Sequence, residues 1–325
     1  MREPIEVIIP TQCETKRGPL LLRAIDSVVG QKGVSAVPVV VVNGSRVDPS
    51  YLAQLARRPD IRLVQRAEPS LFKARRAGFE SGHARFFAIL DDDDIFLPGA
   101  LARRVEALLA DDSVDWVVAN GVFVTPEGDV PFIPDVEAVR RDPMGTLLDH
   151  CWLCSAGNLF RRSAVAPDIF DTTQSMDLSY IAFRLLAEKK ELRFLDESTF
   201  RYFDYPDSTS KQHSYNEHAA SAIQAMMRLN VPARVRHGLA SKYRRALHDA
   251  ASYQLGRCEM REAWAAHLRS LAGLPELFRF AAFTRKLLFG PRGVSRSGGP
   301  SDDSNLPAGD AQQAGAHRGE RAGEQ

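Results

Sequence analysis

Four consecutive aspartates, Asp91 to Asp94, are the residues of this chain whose spacing most clearly indicates chemistry. The apolar run FFAIL precedes them, and Ile95, Phe96 and Leu97 follow at once. Carboxylates packed side by side repel each other, so a hard cation, nearby Arg or Lys, or exposure to water must neutralise them. We favour a cation here, and oxygen-only ligands favour Mg²⁺ or Mn²⁺ over Zn²⁺. The run therefore points toward phosphate chemistry.

The aspartates come at the end of a predicted strand. Phe86 to Leu90 is short, continuously apolar and rich in Phe, which is typical of a strand buried on both faces. Pro98 suits the first turn of a following helix. The apolar face of that helix consists of Leu101, Val105, Leu108 and Leu109. Because ligands of open α/β sheets bind at the carboxyl ends of the strands, the aspartates fall where a binding site is expected.

Strand and helix patterns alternate through the first half of the chain, which implies right-handed crossovers and a mostly parallel sheet. The other predicted strands are Ile5–Ile9, Val37–Val42, Ile61–Val64 and Trp116–Ala119, with helices at about 20–31 and 70–82. Downstream we predict helices near 136–149 and 177–189, short strands in LRFLDESTFRYF, and a helical region over about 214–289. Residues 291–325 lack aromatics and are over a quarter Pro or Gly, which predicts disorder.

Composition indicates an ordinary globular protein with no general affinity for nucleic acid. The chain has 325 residues, 44% hydrophobic and 26% charged, with a formal net charge of +1. The opening MREPIEVIIP lacks the apolar segment of a signal peptide, and no run approaches the roughly 18–20 apolar residues of a membrane span. We therefore expect a cytoplasmic location. The CWLC pair has redox or half-zinc spacing, but without a second pair we interpret it as buried thiols.

Four stretches occur in an order that is similar to one known family. They read IIPT, VVNGS, KARRAGFESG and LDDDD. This series resembles the GT-A fold of family 2 glycosyltransferases, where the matching stretches read approximately "IIPtyN", "VvDDGS", "s.ArN.g" and "LDxDD". The resemblance covers roughly residues 4–210. It implies a GT-A-type α/β catalytic domain over residues 1–213, with flanking helices on a mostly parallel sheet, followed by a helical region over 214–290 and a disordered tail over 291–325.

The resemblance also implies the residues that bind the donor nucleotide. Pro10 and Thr11 would end the first strand beside the nucleotide. Asn43 stands where the family usually has a carboxylate that reads the base, and this leaves the base open because an amide both donates and accepts. Arg75 would face the donor diphosphate, and Asp92 is counted with these nucleotide contacts.

For the metal, the resemblance implies the pair Asp91 and Asp93, with Asp93 as the direct ligand of Mn²⁺ or Mg²⁺ and Asp94 orienting the others. In RYFDYPDSTS the family often has a His that completes the metal shell. Tyr205 stands at that position here. His213 lies further on, as a ligand or as a solvated loop residue.

On the acceptor side, SAGNLFRRSAV resembles the family's acceptor loop. The helix that follows carries a catalytic carboxylate in an "ED" pair, which reads Met176-Asp177 here. The resemblance therefore implies that Asp177 is the catalytic base. The alternative is that Asp177 caps the helix, which is the usual role of an Asp at such a place.

Together these features predict an inverting, metal-dependent glycosyltransferase with a nucleoside-diphosphate sugar donor, favouring UDP, and a carbohydrate or lipid-linked glycan acceptor. The family's commonest setting is bacterial surface polysaccharide assembly, and the missing QxxRW motif argues against a processive synthase. A nucleotidyltransferase is the alternative enzyme, although TQCETKRGPL has one Gly where such enzymes carry a Gly-rich loop. A degenerate nucleotide-binding scaffold is the non-catalytic alternative.

The C-terminal helices raise the question of peripheral membrane contact. Five apolar residues lie close to three cations, Arg279, Arg285 and Lys286. The apolar residues are Leu274, Leu277, Phe278, Phe280 and Leu287. This composition is compatible with an interfacial helix on anionic lipid, and the alternative is a helix packed on the catalytic domain.

Overall fold

Two sheets form the frame of the protein. The computed structural model describes residues 4–171, 175–205, 218–271 and 283–288. The large sheet contains β1 (Pro4–Thr11), β2 (Ser35–Asn43), β3 (Arg62–Arg66), β4 (Phe86–Ile89), β6 (Trp116–Ala119), β9 (Asn158–Arg161) and β10 (Leu192–Leu195). The small sheet contains β5 (Ile95–Phe96), β7 (Val122–Thr125), β8 (Gly128–Pro131) and β11 (Phe200–Phe203).

Helices cover both faces of the large sheet and continue after it. They are α1 (Gly18–Val29), α2 (Pro49–Ala56), α3 (Leu71–Glu80), α4 (Ala100–Leu109), α5 (Val136–Arg141), α6 (Pro143–Thr146), α7 (Asp177–Ala187), α8 (Ala219–Met227), α9 (Ala233–Gly256) and α10 (Met260–Ser270). Single 3₁₀ turns occur at 155–157, 162–164 and 167–170.

The large sheet has the order β10-β6-β9-β4-β1-β2-β3. All neighbouring strands are parallel except β9, which is antiparallel to both β4 and β6. The predicted mostly parallel sheet is therefore confirmed. From β1 the chain passes to β2 on one side, while β4 lies on the other side. This reversal of strand order opens a crevice at the carboxyl ends of β1 and β4, where open α/β sheets bind ligands.

Buried apolar residues explain why these segments form the centre of the sheet. In β1 every residue after Pro4 is buried, and β2 is buried from Pro38 to Asn43. Both faces of these strands are covered by helices, which favours apolar residues on both faces, and the one buried charged residue, Glu6 of β1, pairs with Arg62 and Arg162. Helix α3 lies close to the sheet at Gly78, where an added Cβ would come within 2.5 Å of Ile8 Cγ2.

Two details of the predicted helix after the aspartates are wrong. Leu101, Val105 and Leu108 are buried as expected, but Leu109 is 43% exposed. Pro98 is not in the first helical turn, because α4 begins at Ala100 after a left-handed Gly99. The residues Ile95 and Phe96 instead form β5, a two-residue strand that pairs with β11.

The predicted helix over 136–149 is two short helices. Asp142 ends α5, and its carboxylate accepts a hydrogen bond from Gly145 N at the start of α6. Pro143 cannot supply the backbone N–H that a continuous helix needs, so the chain breaks here.

The first part of the C-terminal helical region packs on the α/β domain. Ala222, Ile223 and Met226 of α8, with Val235 and Leu239 of α9, belong to the same core cluster as the large sheet. The second half of α9 packs with α10 and the helical segment 283–288 in a separate small cluster. Among the helices that the structure describes, none is long and apolar enough to cross a membrane. The predicted tail over 291–325 lies outside the described residues.

Candidate active site

The aspartates lie at the crest formed by the carboxyl ends of β1, β2 and β4. Leu90 N donates to Ile8 O at 3.0 Å, so the chain stays paired with β1 up to Asp91. Pro10 and Thr11 end β1 at this crest, and Asn43 ends β2 beside them. The sequence placed these residues together, and the structure brings them together.

Asp92 is held by the chain itself. Thr11 Oγ1 donates to Asp92 Oδ2 at 2.6 Å, and Arg17 Nε donates to Asp92 Oδ1 at 3.2 Å. Cys13 N donates to Thr11 Oγ1 at 2.9 Å, which fixes the hydroxyl. Asp92 thus joins the crest loop to the end of β1, and its assignment as a direct nucleotide contact stays a prediction.

Arg17 also contacts Asp93, the predicted metal ligand. Arg17 Nη2 lies 2.8 Å from Asp93 Oδ2, and Arg23 Nη2 donates to the backbone oxygen of Asp93 at 2.6 Å. The pKa of Asp93 is raised to about 6, mainly by burial, with the charges of Asp92 and Asp91 adding to the rise and Arg17 opposing it. Asp93 therefore retains a cost of ionisation that Arg17 only partly offsets.

Asp94 is fully buried and links the two sheets. Phe203 N of β11 donates to Asp94 Oδ1 at 3.2 Å, and Ser155 Oγ donates to Asp94 Oδ2 at 3.4 Å. Burial, together with the charges of Asp93 and Asp91, raises the pKa of Asp94 well above its ordinary value. The bonds fix the last residue of the acidic run at the junction of the two sheets, so the carboxylates before it have a defined position.

Arg75 connects Asp91 to Asp177. Arg75 Nη2 donates to Asp91 Oδ1 at 2.8 Å, and Arg75 Nη1 forms an ion pair with Asp177 Oδ2. Arg75 is 1% exposed and Asp177 is 7% exposed. The predicted donor-side aspartate and the predicted base thus lie on either side of one buried guanidinium.

Asp177 is not a helix cap. The N-cap of α7 is Met176, which has a left-handed backbone with φ of 54°, and Asp177 is the first helical residue. The capping interpretation of Asp177 is therefore wrong. A carboxylate in the first turn still benefits from the positive end of the helix dipole.

The amide of Asn43 uses both of its hydrogen-bonding functions within the chain. Asn43 Nδ2 donates to Thr11 O at 2.9 Å, and Asn43 Oδ1 accepts from Ser70 N at 3.0 Å. The side chain joins the ends of β1 and β2 to the start of α3. Its role in reading the base stays a prediction.

At the position where the family often has a His, Tyr205 lies near the acidic run. Arg23 Nη2 donates to the Tyr205 hydroxyl at 3.3 Å, and the Arg23 guanidinium lies 4.3 Å from the centre of the Phe203 ring. Tyr205 is thus joined to Asp93 through one arginine. His213 lies outside the described residues. Cys151 and Cys154 are free thiols, half-buried and buried respectively.

The sequence interpretation missed Arg17 and Arg23 as partners of the aspartates. The available signal was positional: Lys16 and Arg17 follow β1, whose end lies at the same crest as the end of β4. Neighbouring basic residues were one of the three ways in which the sequence could neutralise the acidic run. Arg17 and Arg23 show that the structure uses this one.

The carboxylates also fit a divalent cation. Asp91 and Asp93 offer only oxygen donors, and even beside Arg17 the pKa of Asp93 stays raised by burial and by the charges of Asp92 and Asp91. Within the described ranges no group of three His, Cys, Asp or Glu residues converges on one point. A cation held by Asp91 and Asp93 would therefore take its other ligands from water and substrate phosphate, as Mg²⁺ commonly does.

Binding of Mn²⁺ by the free protein should weaken as the pH falls through about 6. The pKa of Asp93 is raised to about 6, so the proton occupies this carboxyl below that pH and competes with the cation. Titration of Mn²⁺ by electron paramagnetic resonance between pH 5 and 8 measures the effect. An affinity that does not change over this range, or that changes equally in Asp93→Asn, would contradict the assignment.

The large sheet, with its crevice at the carboxyl ends of β1 and β4, has the GT-A fold of solved glycosyltransferase structures. Residues 6–164 match the family model described as glycosyl transferase family 2. The matched range runs from within β1 to just after β9 and contains the four aspartates.

Comparison with solved structures supports the fold. TarS from S. aureus in complex with UDP-GlcNAc is 13% identical, with a TM-score of 0.53 over 77% of this chain and 73% of that one. The mannosyltransferase PcManGT from Pyrobaculum calidifontis, in complex with GDP-Man and Mn²⁺, is 18% identical, with a TM-score of 0.52 over 90% of this chain and 82% of that one.

One curated relative is more similar in sequence over a shorter stretch. The succinoglycan biosynthesis protein ExoO of Rhizobium meliloti (strain 1021) is 35% identical over 112 residues. The match spans 31% of this chain and 31% of that protein. The shared stretch is thus less than a third of either chain.

Proposed function

We propose that the protein is an inverting, metal-dependent and non-processive glycosyltransferase that moves a sugar from a nucleoside diphosphate to a hydroxyl. The observation that carries this proposal is that Arg75 joins Asp177 to Asp91, which belongs to the same acidic run as Asp93. The pair Asp91 and Asp93 is suited to hold a cation beside the donor phosphates. Asp177 is suited to act as the base that deprotonates the acceptor.

In the proposed reaction Asp177 takes the proton of the acceptor hydroxyl while that oxygen bonds to the anomeric carbon. The bond from this carbon to the diphosphate oxygen breaks at the same time, and the diphosphate leaves with the electron pair. Attack opposite the leaving group inverts the anomeric centre. A bound Mn²⁺ or Mg²⁺, held by Asp91 and Asp93, would stabilise the charge on the departing diphosphate.

The donor we favour carries UDP, and the acceptor class is a carbohydrate or a lipid-linked glycan. TarS was solved with UDP-GlcNAc and PcManGT with GDP-Man, so a nucleotide-sugar donor is the common element of these neighbours. The name of the relative ExoO supports a place in surface polysaccharide assembly.

Release of nucleoside diphosphate tests the proposal. The full chain is incubated with Mn²⁺ and UDP-glucose, UDP-GlcNAc or GDP-mannose. No acceptor is added, so water accepts the sugar and the reaction is hydrolysis of the donor. Turnover of at least one donor is the expected result. Release of pyrophosphate from a nucleoside triphosphate and a sugar phosphate would instead identify a nucleotidyltransferase, and binding without turnover of any donor would identify a scaffold.

We also propose that the helical region rests on anionic lipid at the inner face of the membrane. Over residues 218–271 nine Lys and Arg residues stand against three Asp and Glu residues, although the whole chain has a net charge of only +1. The exposed basic residues of α9 are Arg234, Arg236, His237, Lys242 and Arg245. Such an excess of positive charge is attracted to anionic headgroups.

The apolar residues predicted for this contact give less support. Leu274, Leu277, Phe278 and Phe280 lie outside the described residues. Leu287 is buried in the small cluster with Phe283, so it packs against α9 and α10.

Flotation with vesicles containing phosphatidylglycerol should recover the protein at low salt and lose it at high salt. The double variant Lys242→Glu with Arg245→Glu should float less, because it reverses two exposed charges of α9. Lys32→Glu with Arg57→Glu makes the same charge change elsewhere on the surface and should float like the wild type. Flotation that does not respond to salt or to the α9 variant would leave packing on the catalytic domain as the role of these helices.

A further inference from the structure

Arg75 is a buried cation in the middle of α3, and its environment is unusual for a residue that binds a substrate phosphate. Its side chain faces the large sheet and is 1% exposed. Its Nε has no partner among the described residues. A buried guanidinium is costly unless carboxylates compensate it, so the two acids that contact Arg75 determine what it does.

Those two acids come from opposite parts of the site. Asp91 follows β4 on the donor side, and Asp177 begins α7 on the acceptor side. Each contacts a different amino group of Arg75: Asp91 accepts a hydrogen bond from Nη2, and Asp177 forms an ion pair with Nη1. Because the guanidinium is planar and rigid, its fork fixes the direction of both carboxylates at once.

The neighbouring arginine provides a contrast on the same helix. Arg76 lies at the surface, where Nε donates to Glu80 at 2.8 Å and Nη1 contacts Asp171 at 2.6 Å. Its partners lie outside the crest. Two consecutive arginines therefore have the same charge but different surroundings, and only Arg75 joins the two proposed functional carboxylates.

We infer that Arg75 is a positioning residue that sets Asp177 relative to the donor-side carboxylate Asp91, instead of a residue that contacts the donor diphosphate. The inference rests on the proposed function, because it assigns Asp177 the role of base. In-line attack needs the base, the hydroxyl and the leaving group in one geometry, and a displacement of about 1 Å can cost about 10²-fold in rate. A rigid link between the two sides supplies that geometry before the substrates bind.

The substitution Arg75→Lys distinguishes a positioning role from simple charge compensation. Lys keeps the positive charge but is a point charge on a flexible stem, and it cannot hold two carboxylates in the fixed geometry of a fork. If Arg75 only neutralised its neighbours, Arg75→Lys would work like the wild type. If Arg75 bound the diphosphate, Arg75→Lys would weaken nucleotide affinity.

The experiment compares Arg75→Lys, Asp177→Asn, the double variant and the matched control Arg76→Lys. Donor turnover with Mn²⁺ gives kcat and KM, a separate titration gives the nucleotide Kd, and thermal unfolding checks the fold. We expect Arg75→Lys to lower kcat by at least about 10²-fold with KM and Kd nearly unchanged. The double variant should be no slower than Asp177→Asn alone, and Arg76→Lys should match the wild type.

Three results would overturn the inference: wild-type kcat in Arg75→Lys, a nucleotide Kd that rises in proportion to the loss of activity, or losses that multiply in the double variant. A variant Arg75→Lys that does not fold would be replaced by Arg75→Gln, which keeps a planar group that donates hydrogen bonds, under the same criteria. If the wild type turns over no donor, the proposed function fails and the inference falls with it, a result that differs from a normal Arg75→Lys in an active enzyme.

Discussion

Asp177→Asn is expected to lower kcat by about 10²- to 10⁴-fold while metal-dependent nucleotide affinity stays nearly unchanged. A sugar hydroxyl is a poor nucleophile at neutral pH, so attack on the anomeric carbon needs a base opposite the leaving diphosphate. Asp91 and Asp93 are on the donor side, and their charge is needed there. Asn keeps the shape of the side chain and removes the basicity.

The position of Asp177 supports this expectation. Helix α7 packs into the core through Ile181 and Leu185, which holds its first residue at the crest. Arg75 keeps its contact with Asp91 when Asp177 becomes neutral, so the buried cation is not left without a carboxylate. The fold of Asp177→Asn is therefore expected to survive, and thermal unfolding measures this directly.

Asp171 provides the comparison for the same chemical change. Its carboxylate is about half exposed and pairs with Arg76 at the surface. Asp171→Asn should retain wild-type turnover. If Asp177→Asn is as active as the wild type and Asp171→Asn is not, the base is Asp171 and the assignment of Asp177 is wrong.

The sequence predicted the crest well because strand ends carry strong local signals. Mostly apolar runs mark β1, β2 and β4, with Glu6 as the one charged residue in β1, and each run ends abruptly in a polar residue or a Gly-containing turn. In a parallel sheet such ends must meet at one edge, so Thr11, Asn43 and Asp91 could be placed together without knowledge of the tertiary structure.

Of the small sheet only β11 was predicted, as one of the short strands in LRFLDESTFRYF, and the reason that the other three strands were missed is length. Strand β5 has two residues, and β7 and β8 have four each, too few for alternation to show. β5 and β7 are set by pairing with β11, which lies about 80 to 105 residues further along the chain, and β8 pairs in turn with β7. Local patterns carry no information about such a partner.

The ion pairs of the site also could not be predicted from the sequence. KARRAGFESG contains two adjacent arginines, and no feature of the stretch tells which one faces the sheet. The phase of α3 against the sheet decides this, because it turns Arg75 inward and Arg76 outward. Arg17 likewise reaches Asp92 and Asp93 only through the turn that connects β1 to α1.

Asp93→Asn is expected to abolish metal-dependent donor binding and to leave the fold intact. The carboxylate lies at the crest, where it contributes little to the apolar core. Burial, together with repulsion from Asp92 and Asp91, raises its pKa, so the fold disfavours its ionised form and a neutral side chain of the same shape removes that cost. Thermal stability at neutral pH should therefore not fall, while Mn²⁺ affinity and donor turnover should both be lost.

Removal of the metal should reproduce the effect of Asp93→Asn on the unchanged protein. EDTA should abolish turnover, and added Mn²⁺ should restore it. Asp112→Asn, which neutralises an exposed carboxylate just after α4, is the matched control and should bind Mn²⁺ and donor normally.

The alternative to a metal ion is Arg17, which already contacts Asp93 and is itself a cation that could stabilise the donor diphosphate. If Arg17 has this role, EDTA would not lower activity. The variant Asp93→Asn would then still turn over donor, because Arg17 would keep its contact with Asp92. Full activity under both conditions would thus exclude the metal assignment and transfer its role to Arg17.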